Sequence, residues 1–168
     1  MRLFTAIQLP PDIKENIYND FHDLRNKIKG SWVKKENLHV TLKFLGEVED
    51  EKVSEIKNLI SGIKIKPFES EAFGTGAFPN MKNPKVLWVG ISKGNEEIKK
   101  IMFSLDEVFS KLGFKKEGRD YTPHITVARL KEKTLLEKPQ KTYGKFLVDG
   151  IKLFQSILKT EGAVYKEI

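Results

Sequence analysis

Apolar residues recur along this chain at two spacings, one typical of strands and one typical of helices. Short apolar runs, several of them rich in β-branched residues, predict strands, and longer segments with an apolar residue every three or four positions predict helices. The predicted strands are 3–9, 38–45, 68–78, 86–91, 124–130, 146–154 and 163–165, with a short extended pair at 32–33. The predicted helices are 10–30, 51–61 and 96–112. This mixture predicts an α+β fold.

The second half of the chain repeats the order of elements in the first half. A shift of 85 positions aligns Ile13 with Ile98 and Leu24 with Phe109 within the predicted helices. The same shift superposes two short polar motifs, which a fortuitous helix register would not explain. We interpret this as an internal duplication within one domain, 1–168. It predicts two pseudo-symmetric lobes, with antiparallel sheets lining a central cleft and helices packed on the outside.

The duplicated motif is His-x-Thr on a predicted strand. It comprises His39 and Thr41 in the first copy and His124 and Thr126 in the second. Because side chains alternate between the faces of a strand, each histidine shares a face with its threonine, and the apolar residue between them can enter the core. Two lobes related by a pseudo-twofold axis would bring these four groups around one small volume.

Two imidazoles and two hydroxyls suit a tetrahedral phosphate. An imidazole can give or take a proton near neutral pH, and a threonine hydroxyl can donate to a phosphate oxygen. One histidine would act as the acid and the other as the base, which needs no metal.

Competing interpretations of these residues are less favourable. A lone His-x-Thr would more often be structural, but two copies in equivalent positions favour a function. Neither motif has a second histidine or a carboxylate within two positions, so no metal site and no cofactor are predicted. No Gly-x-Ser-x-Gly occurs to indicate a serine triad. His22, in a predicted helix with no threonine partner, is expected on the surface.

The charge balance favours an anionic partner. The chain has 30 Lys and Arg against 23 Asp and Glu, a net charge of +7, although lysine- and glutamate-rich surfaces also accompany heat stability. The absence of cysteine excludes disulfides and thiolate chemistry and fits a reducing compartment. The apolar start is too short for a signal peptide, and no run approaches the roughly 20 residues of a membrane span. We therefore expect a cytoplasmic protein without a membrane partner.

The two motifs and their surroundings resemble the RNA 2′,3′-cyclic phosphodiesterases, also called 2′-5′ RNA ligases, of the 2H phosphoesterase superfamily. Residues 36–47 and 123–129 resemble the two motifs of that family. Further resemblance lies at 1–7, 76–80, 86–90, 112–114 and 162–165. The resemblance covers nearly the whole chain.

This resemblance implies a bilobal α+β fold around a V-shaped cleft. It implies hydrolysis of an RNA 2′,3′-cyclic phosphodiester to a 2′-phosphomonoester, with His39 as proton donor to the departing 3′ oxygen and His124 as proton acceptor from water. It also implies 2′-5′ RNA ligation, the joining of a 5′-hydroxyl to a 2′,3′-cyclic phosphate. The expected partners are RNA ends bearing the cyclic phosphate, tRNA fragments among them, and the expected state is a monomer.

Two basic residues are candidate substrate contacts. Lys43 continues the His39 face by strand alternation, where it could offer charge to the phosphate or simply be solvated. The family pattern places an arginine at Arg129, which strict alternation puts on the face opposite His124 unless a twist or bulge returns it. Four aromatic residues could stack on a base, and the pattern does not choose among them. They are Trp32, Phe44, Phe78 and Tyr121.

Two other functions fit the same residues. One is a non-catalytic module that binds the phosphate at an RNA end, which binding without product release would reveal. The other is a phosphodiesterase for a small cyclic nucleotide, which the relative efficiency on an RNA oligomer and a mononucleotide would reveal.

Overall fold

The computed structural model describes residues 1–117 and 120–168. This part of the chain forms nine strands and four helices, with short 3₁₀ turns at Lys35–Asn37 and Asp50–Lys52. The strands are β1 (Arg2–Gln8), β2 (Gly30–Trp32), β3 (His39–Glu47), β4 (Phe68–Phe78), β5 (Val86–Ile91), β6 (His124–Leu130), β7 (Thr142–Val148), β8 (Lys152–Lys159) and β9 (Gly162–Glu167). The helices are α1 (Pro11–Asp20), α2 (His22–Lys27), α3 (Val53–Gly62) and α4 (Asn95–Ser110).

All nine strands belong to one antiparallel sheet. Its order is β7-β4-β5-β6-β3-β1-β8-β9, and β2 pairs with β6 beside this path. One lobe is β3-β1-β8-β9 and the other is β6-β5-β4-β7. They join where β3 meets β6 through the single residue pair Val40–Ile125. The predicted α+β fold of two antiparallel lobes is confirmed, with the lobes continuous through this junction.

Each of the two long helices packs against a strand from the other half of the chain. Helix α1 lies against β7, where the Asn16 side-chain amide donates to the Tyr143 carbonyl at 2.9 Å. Helix α4 lies against β3. The apolar residues that helical spacing placed on the inner side of α4 are buried, among them Ile98, Leu105 and Phe109. The two long helices thus pack against the face of the sheet that carries these buried residues.

Two predicted elements differ from the structure. The predicted helix 10–30 breaks at Phe21, whose ring is fully buried, so that α1 and α2 follow one another. The predicted strand 146–154 is two strands, because the chain leaves the lobe of β7 at Asp149 and Gly150 and enters the other lobe as β8. Helix α4, with 16 residues, is the longest helix in 1–117 and 120–168, and none there has the length and hydropathy that a bilayer span requires.

Candidate active site

The junction of the two lobes places both His-x-Thr motifs on one face of the sheet. Val40 and Ile125 pair across the junction and are both fully buried on the core side. The other face therefore carries the polar side chains that flank this pair. They are His39, Thr41, His124 and Thr126. Because the pairing is antiparallel, the register sets His39 towards Thr126 and His124 towards Thr41.

Two hydrogen bonds fix the ring of His39. Its Nδ1 lies 2.6 Å from the Asn37 carbonyl oxygen and its Nε2 lies 2.8 Å from the Thr41 hydroxyl oxygen. A carbonyl can only accept, so Nδ1 carries a hydrogen. Burial lowers the pKa of His39 to about 4, against the opposing effect of the Asn37 hydrogen bond. The ring is therefore neutral at pH 7, and the Thr41 hydroxyl donates to Nε2.

The second imidazole is held in the same way. The Nδ1 of His124 donates to the Thr122 carbonyl at 2.7 Å, and Thr122 precedes it by two residues as Asn37 precedes His39. Each ring also has an aromatic ring at its edge, Tyr165 at 5.3 Å from His39 and Phe78 at 5.1 Å from His124. Nε2 is thus the nitrogen of each ring that can exchange a proton with a ligand on this face.

The predicted placement of Lys43 on the His39 face is wrong. Strand β1 pairs Thr5 with Lys43 and Ala6 with Thr41, so Leu42 is an extra residue in β3 and forms a β-bulge. The bulge turns Lys43 towards the core, where its ammonium forms an ion pair with Asp106 and its side chain is 1% exposed. The alternation on which the prediction relied does not continue through the bulge.

An equivalent bulge in β6 brings Arg129 to the site. Strand β5 pairs Trp88 with Thr126 and Leu87 with Ala128, so Val127 is the extra residue, 85 positions after Leu42. Arg129 therefore returns to the face of Thr126 and is exposed. Burial raises the pKa of Tyr165, and the positive charges of Arg129 and Arg2 oppose this rise. Arg129 remains a candidate phosphate contact.

Two of the four candidate aromatic residues present exposed rings, Phe78 against His124 and Phe44 against Phe4, whose own ring contacts His39. Phe44 follows the bulge in β3 and is 59% exposed, and Phe78 is 38% exposed. The other two serve the framework, because the Trp32 ring nitrogen donates to the Ile28 carbonyl at 3.0 Å and the Tyr121 hydroxyl donates to the Thr41 carbonyl at 2.8 Å. Phe44 and Phe78 are thus the candidates for contact with a base.

The groups that orient the two imidazole rings could not be identified from the sequence. The carbonyls of Asn37 and Thr122 act through the backbone, so the identities of these residues gave no signal. Their common spacing, two residues before each histidine and 85 positions apart, was the available clue. Tyr165 lies in a segment that resembled the family, although its contact with His39 could be seen only in the structure.

A pocket is lined in part by His39. Its volume is about 230 Å³, and its lining includes Phe4, Lys14, Phe154 and Tyr165.

In 1–117 and 120–168, no three His, Asp or Glu side chains are grouped as metal ligands would be. His22 is exposed on α2, as predicted.

Comparisons with known proteins agree with this geometry along the whole chain. The family model described as LigT like phosphoesterase matches twice in succession, at 7–88 and 89–165, which fits the predicted duplication. RNA 2′,3′-cyclic phosphodiesterases of Methanocaldococcus jannaschii and Archaeoglobus fulgidus are 42% and 35% identical to this chain, over all of it and 98% of their own lengths. The crystal structure of Escherichia coli LigT complexed with 3′-AMP superposes with a TM-score of 0.86 at 27% identity, covering 99% of this chain and 94% of that one. This chain belongs to the LigT-like phosphoesterase family, within the 2H phosphoesterase superfamily.

Proposed function

We propose that this protein hydrolyses RNA 2′,3′-cyclic phosphodiester ends to 2′-phosphomonoesters without a metal. The observation that carries the proposal is the convergence of the two His-x-Thr motifs at the Val40–Ile125 pair, with both imidazoles fixed in one tautomer. The two archaeal relatives are RNA 2′,3′-cyclic phosphodiesterases by name, which supports this class of substrate.

In the proposed reaction, a water oxygen attacks phosphorus while Nε2 of His124 accepts a proton from that water. The bond from phosphorus to the 3′ oxygen breaks, and Nε2 of His39 gives its proton to that oxygen. The hydroxyls of Thr41 and Thr126 donate to the non-bridging oxygens, and Arg129 adds positive charge. A 5′-hydroxyl in place of water would give a 2′-5′ linkage, the ligation that the family resemblance implies.

The donor role requires His39 to gain a proton when substrate binds. Its low pKa, caused chiefly by burial, keeps it neutral in the free protein. The cyclic phosphodiester carries a negative charge, and an anion beside an imidazole favours the protonated ring. Substrate would also draw the Thr41 hydroxyl away from Nε2, where it now donates. Binding of the anion and protonation of the donor are therefore coupled in this mechanism.

An altered leaving group separates the two roles. We expect His39→Asn and His124→Asn each to lower kcat by about 10²- to 10⁴-fold on the natural diester. Sulfur in place of the 3′ bridging oxygen leaves as a thiolate and needs no proton donor. That analogue should recover most of the lost rate in His39→Asn and little in His124→Asn. Recovery in His124→Asn alone would reverse the assignment.

The activity itself is tested with an RNA that ends in a 2′,3′-cyclic phosphate. The RNA is incubated with the protein, with and without EDTA, and the position of the product phosphate is determined. We expect a 2′-phosphomonoester at equal rates in both samples. Binding without hydrolysis would contradict the proposal and favour a binding module, and a preference for mononucleotides over the oligomer would favour a small cyclic nucleotide as substrate.

The proposed setting is the cytoplasm, where the chain acts as a monomeric unit of 168 residues on RNA ends such as tRNA fragments. The net charge of +7 and the absence of cysteine support an RNA partner and a reducing compartment. Light scattering during size-exclusion chromatography tests the monomer, with a dimer mass as the contrary result. Binding of cleaved tRNA that weakens with salt would support the RNA partner.

A further inference from the structure

A buried ion pair lies directly behind the candidate site. Lys43 on β3 and Asp106 on α4 face each other with side chains that are 1% and 6% exposed. The Lys43 ammonium also donates to the Lys115 carbonyl at 2.9 Å, and the second Asp106 oxygen accepts from the Glu117 amide at 3.1 Å. The pair therefore joins β3, α4 and the segment that leads from α4 to β6.

Stability is a weak explanation for this arrangement. Removing two charges from water is costly, and apolar side chains of similar volume often serve a core equally well. This ion pair also makes directional hydrogen bonds to the backbone. The Lys43 ammonium donates to the Lys115 carbonyl, and the Asp106 carboxylate accepts from the Glu117 amide. The two backbone contacts fix where that segment leaves α4, which an apolar pair could not do.

The same segment carries the groups that orient the second histidine. The Tyr121 hydroxyl donates to the Thr41 carbonyl at 2.8 Å, and the Thr122 carbonyl accepts from Nδ1 of His124 at 2.7 Å. The segment is thus tied to β3 at two places, through Lys43 near its start and through Thr41 near its end.

These ties matter because the strands of the two histidines share little direct pairing. In the described part of the chain, β3 and β6 pair only through Val40 and Ile125. One residue pair leaves the angle between two strands loosely defined, and the separation of His39 and His124 depends on that angle. Strand β2, which leads into β3, pairs with β6 at three positions on the Arg129 side of this junction. The ties through Lys43 and Tyr121 add a connection of their own that helps to set the distance between the two imidazoles.

We propose that Lys43 and Asp106 are positioning residues, which hold the backbone at Lys115 and Glu117 so that the Thr122 carbonyl, a few residues further along the chain, orients His124 opposite His39. The inference rests on the proposed two-histidine hydrolysis. Neither residue touches the substrate in this scheme. They act through Lys115 and the backbone that follows it.

The test replaces the pair by apolar side chains in Lys43→Met/Asp106→Leu. The matched control is Lys116→Met/Glu107→Gln, which removes the exposed ion pair formed by the adjacent residues of the same segment and helix. We expect the buried double variant to melt close to the wild type and to lose on the order of 10- to 100-fold in kcat. Its KM should stay within about twofold, because the phosphate-binding groups remain on their strands. The control should keep both constants.

A second measurement does not depend on turnover. Nitrogen-15 NMR of the imidazoles should show the Nδ1–H tautomer for His124 in the wild type and its loss in the buried double variant, while His39 keeps its own. A folded double variant with wild-type kcat and an unchanged His124 tautomer would overturn the proposal. If that variant unfolds, Lys43→Met/Asp106→Asn replaces it, which keeps an oxygen for the Glu117 amide but removes the donor to the Lys115 carbonyl, and unchanged kcat there would be equally contrary. A wild type without hydrolysis would refute the proposed function, and the NMR comparison would still decide the positioning role.

Discussion

Protonation of His39 should weaken the folded protein as the pH falls. Burial lowers the pKa of His39 from 6.5 to about 4 in the folded state, so the unfolded chain takes up this proton at a higher pH. The unfolded state therefore binds more protons between these two values, and the free energy of unfolding decreases as the pH falls through them. The full difference corresponds to about 3 kcal/mol, of which about 2 kcal/mol is already lost at pH 5.

The assay is urea unfolding at pH 7 and pH 5 for the wild type and His39→Asn. Asparagine can still donate to the Asn37 carbonyl but does not titrate. We expect the wild type to lose about 2 kcal/mol more than the variant between the two pH values, since all other titrating groups are common to both. His22→Asn, which changes an exposed ring on α2, should follow the wild type. An equal loss in wild type and His39→Asn would refute the reasoning, because the ring would then be hydrated rather than shielded.

Three further substitutions test the other parts of the structure. Arg129→Gln should raise KM for a cyclic phosphate about tenfold and weaken the salt dependence of KM for RNA, because it removes a positive charge from the face on which the phosphate is proposed to bind. Steady-state kinetics at two salt concentrations would show this. Phe44→Ala should raise KM for nucleotides several-fold with little change in melting temperature, because the ring is mostly exposed; an unchanged KM would exclude base contact. Asp20→Ala should lower the free energy of unfolding by about 1–2 kcal/mol and leave kcat unchanged, because Lys138 and the Tyr143 hydroxyl lose their acceptor; urea unfolding measures this.

Much of the fold could be predicted because burial follows spacing in this chain. The strands 68–78, 86–91 and 124–130 have the predicted bounds. The 85-residue shift identified the duplication before any coordinates, since equivalent positions face equivalent neighbours. The crossing between the lobes at Asp149 and Gly150 was missed because the flanking apolar residues continue the run on either side. The spacing of apolar residues therefore predicts the presence of an element well. It predicts the boundary between two consecutive apolar elements poorly.

The two bulges explain why some site residues could be predicted and others could not. A bulge depends on how a strand pairs with its neighbour, and neither Leu42 nor Val127 differs in type from an ordinary strand residue. Lys43 was therefore assigned to the wrong face. Arg129 could be kept as a candidate only because the family pattern places an arginine there. The histidines and threonines precede the bulges, where alternation still holds, so their shared face followed from the sequence.

The duplication gives the two histidines equivalent backbone positions. In the proposed mechanism, their unequal surroundings give them different roles, one as proton donor and one as proton acceptor. The position after each bulge holds an open aromatic ring, Phe44, in one lobe and a cation, Arg129, in the other. Between the extra residue of each bulge and this position lies Lys43, with its buried charge, in one lobe and Ala128, with its methyl group, in the other. In the proposed hydrolysis one histidine gives a proton and the other takes one. In this proposed mechanism the duplication sets where the protons are exchanged, and we infer that the departures from symmetry determine which histidine gives the proton and which takes it.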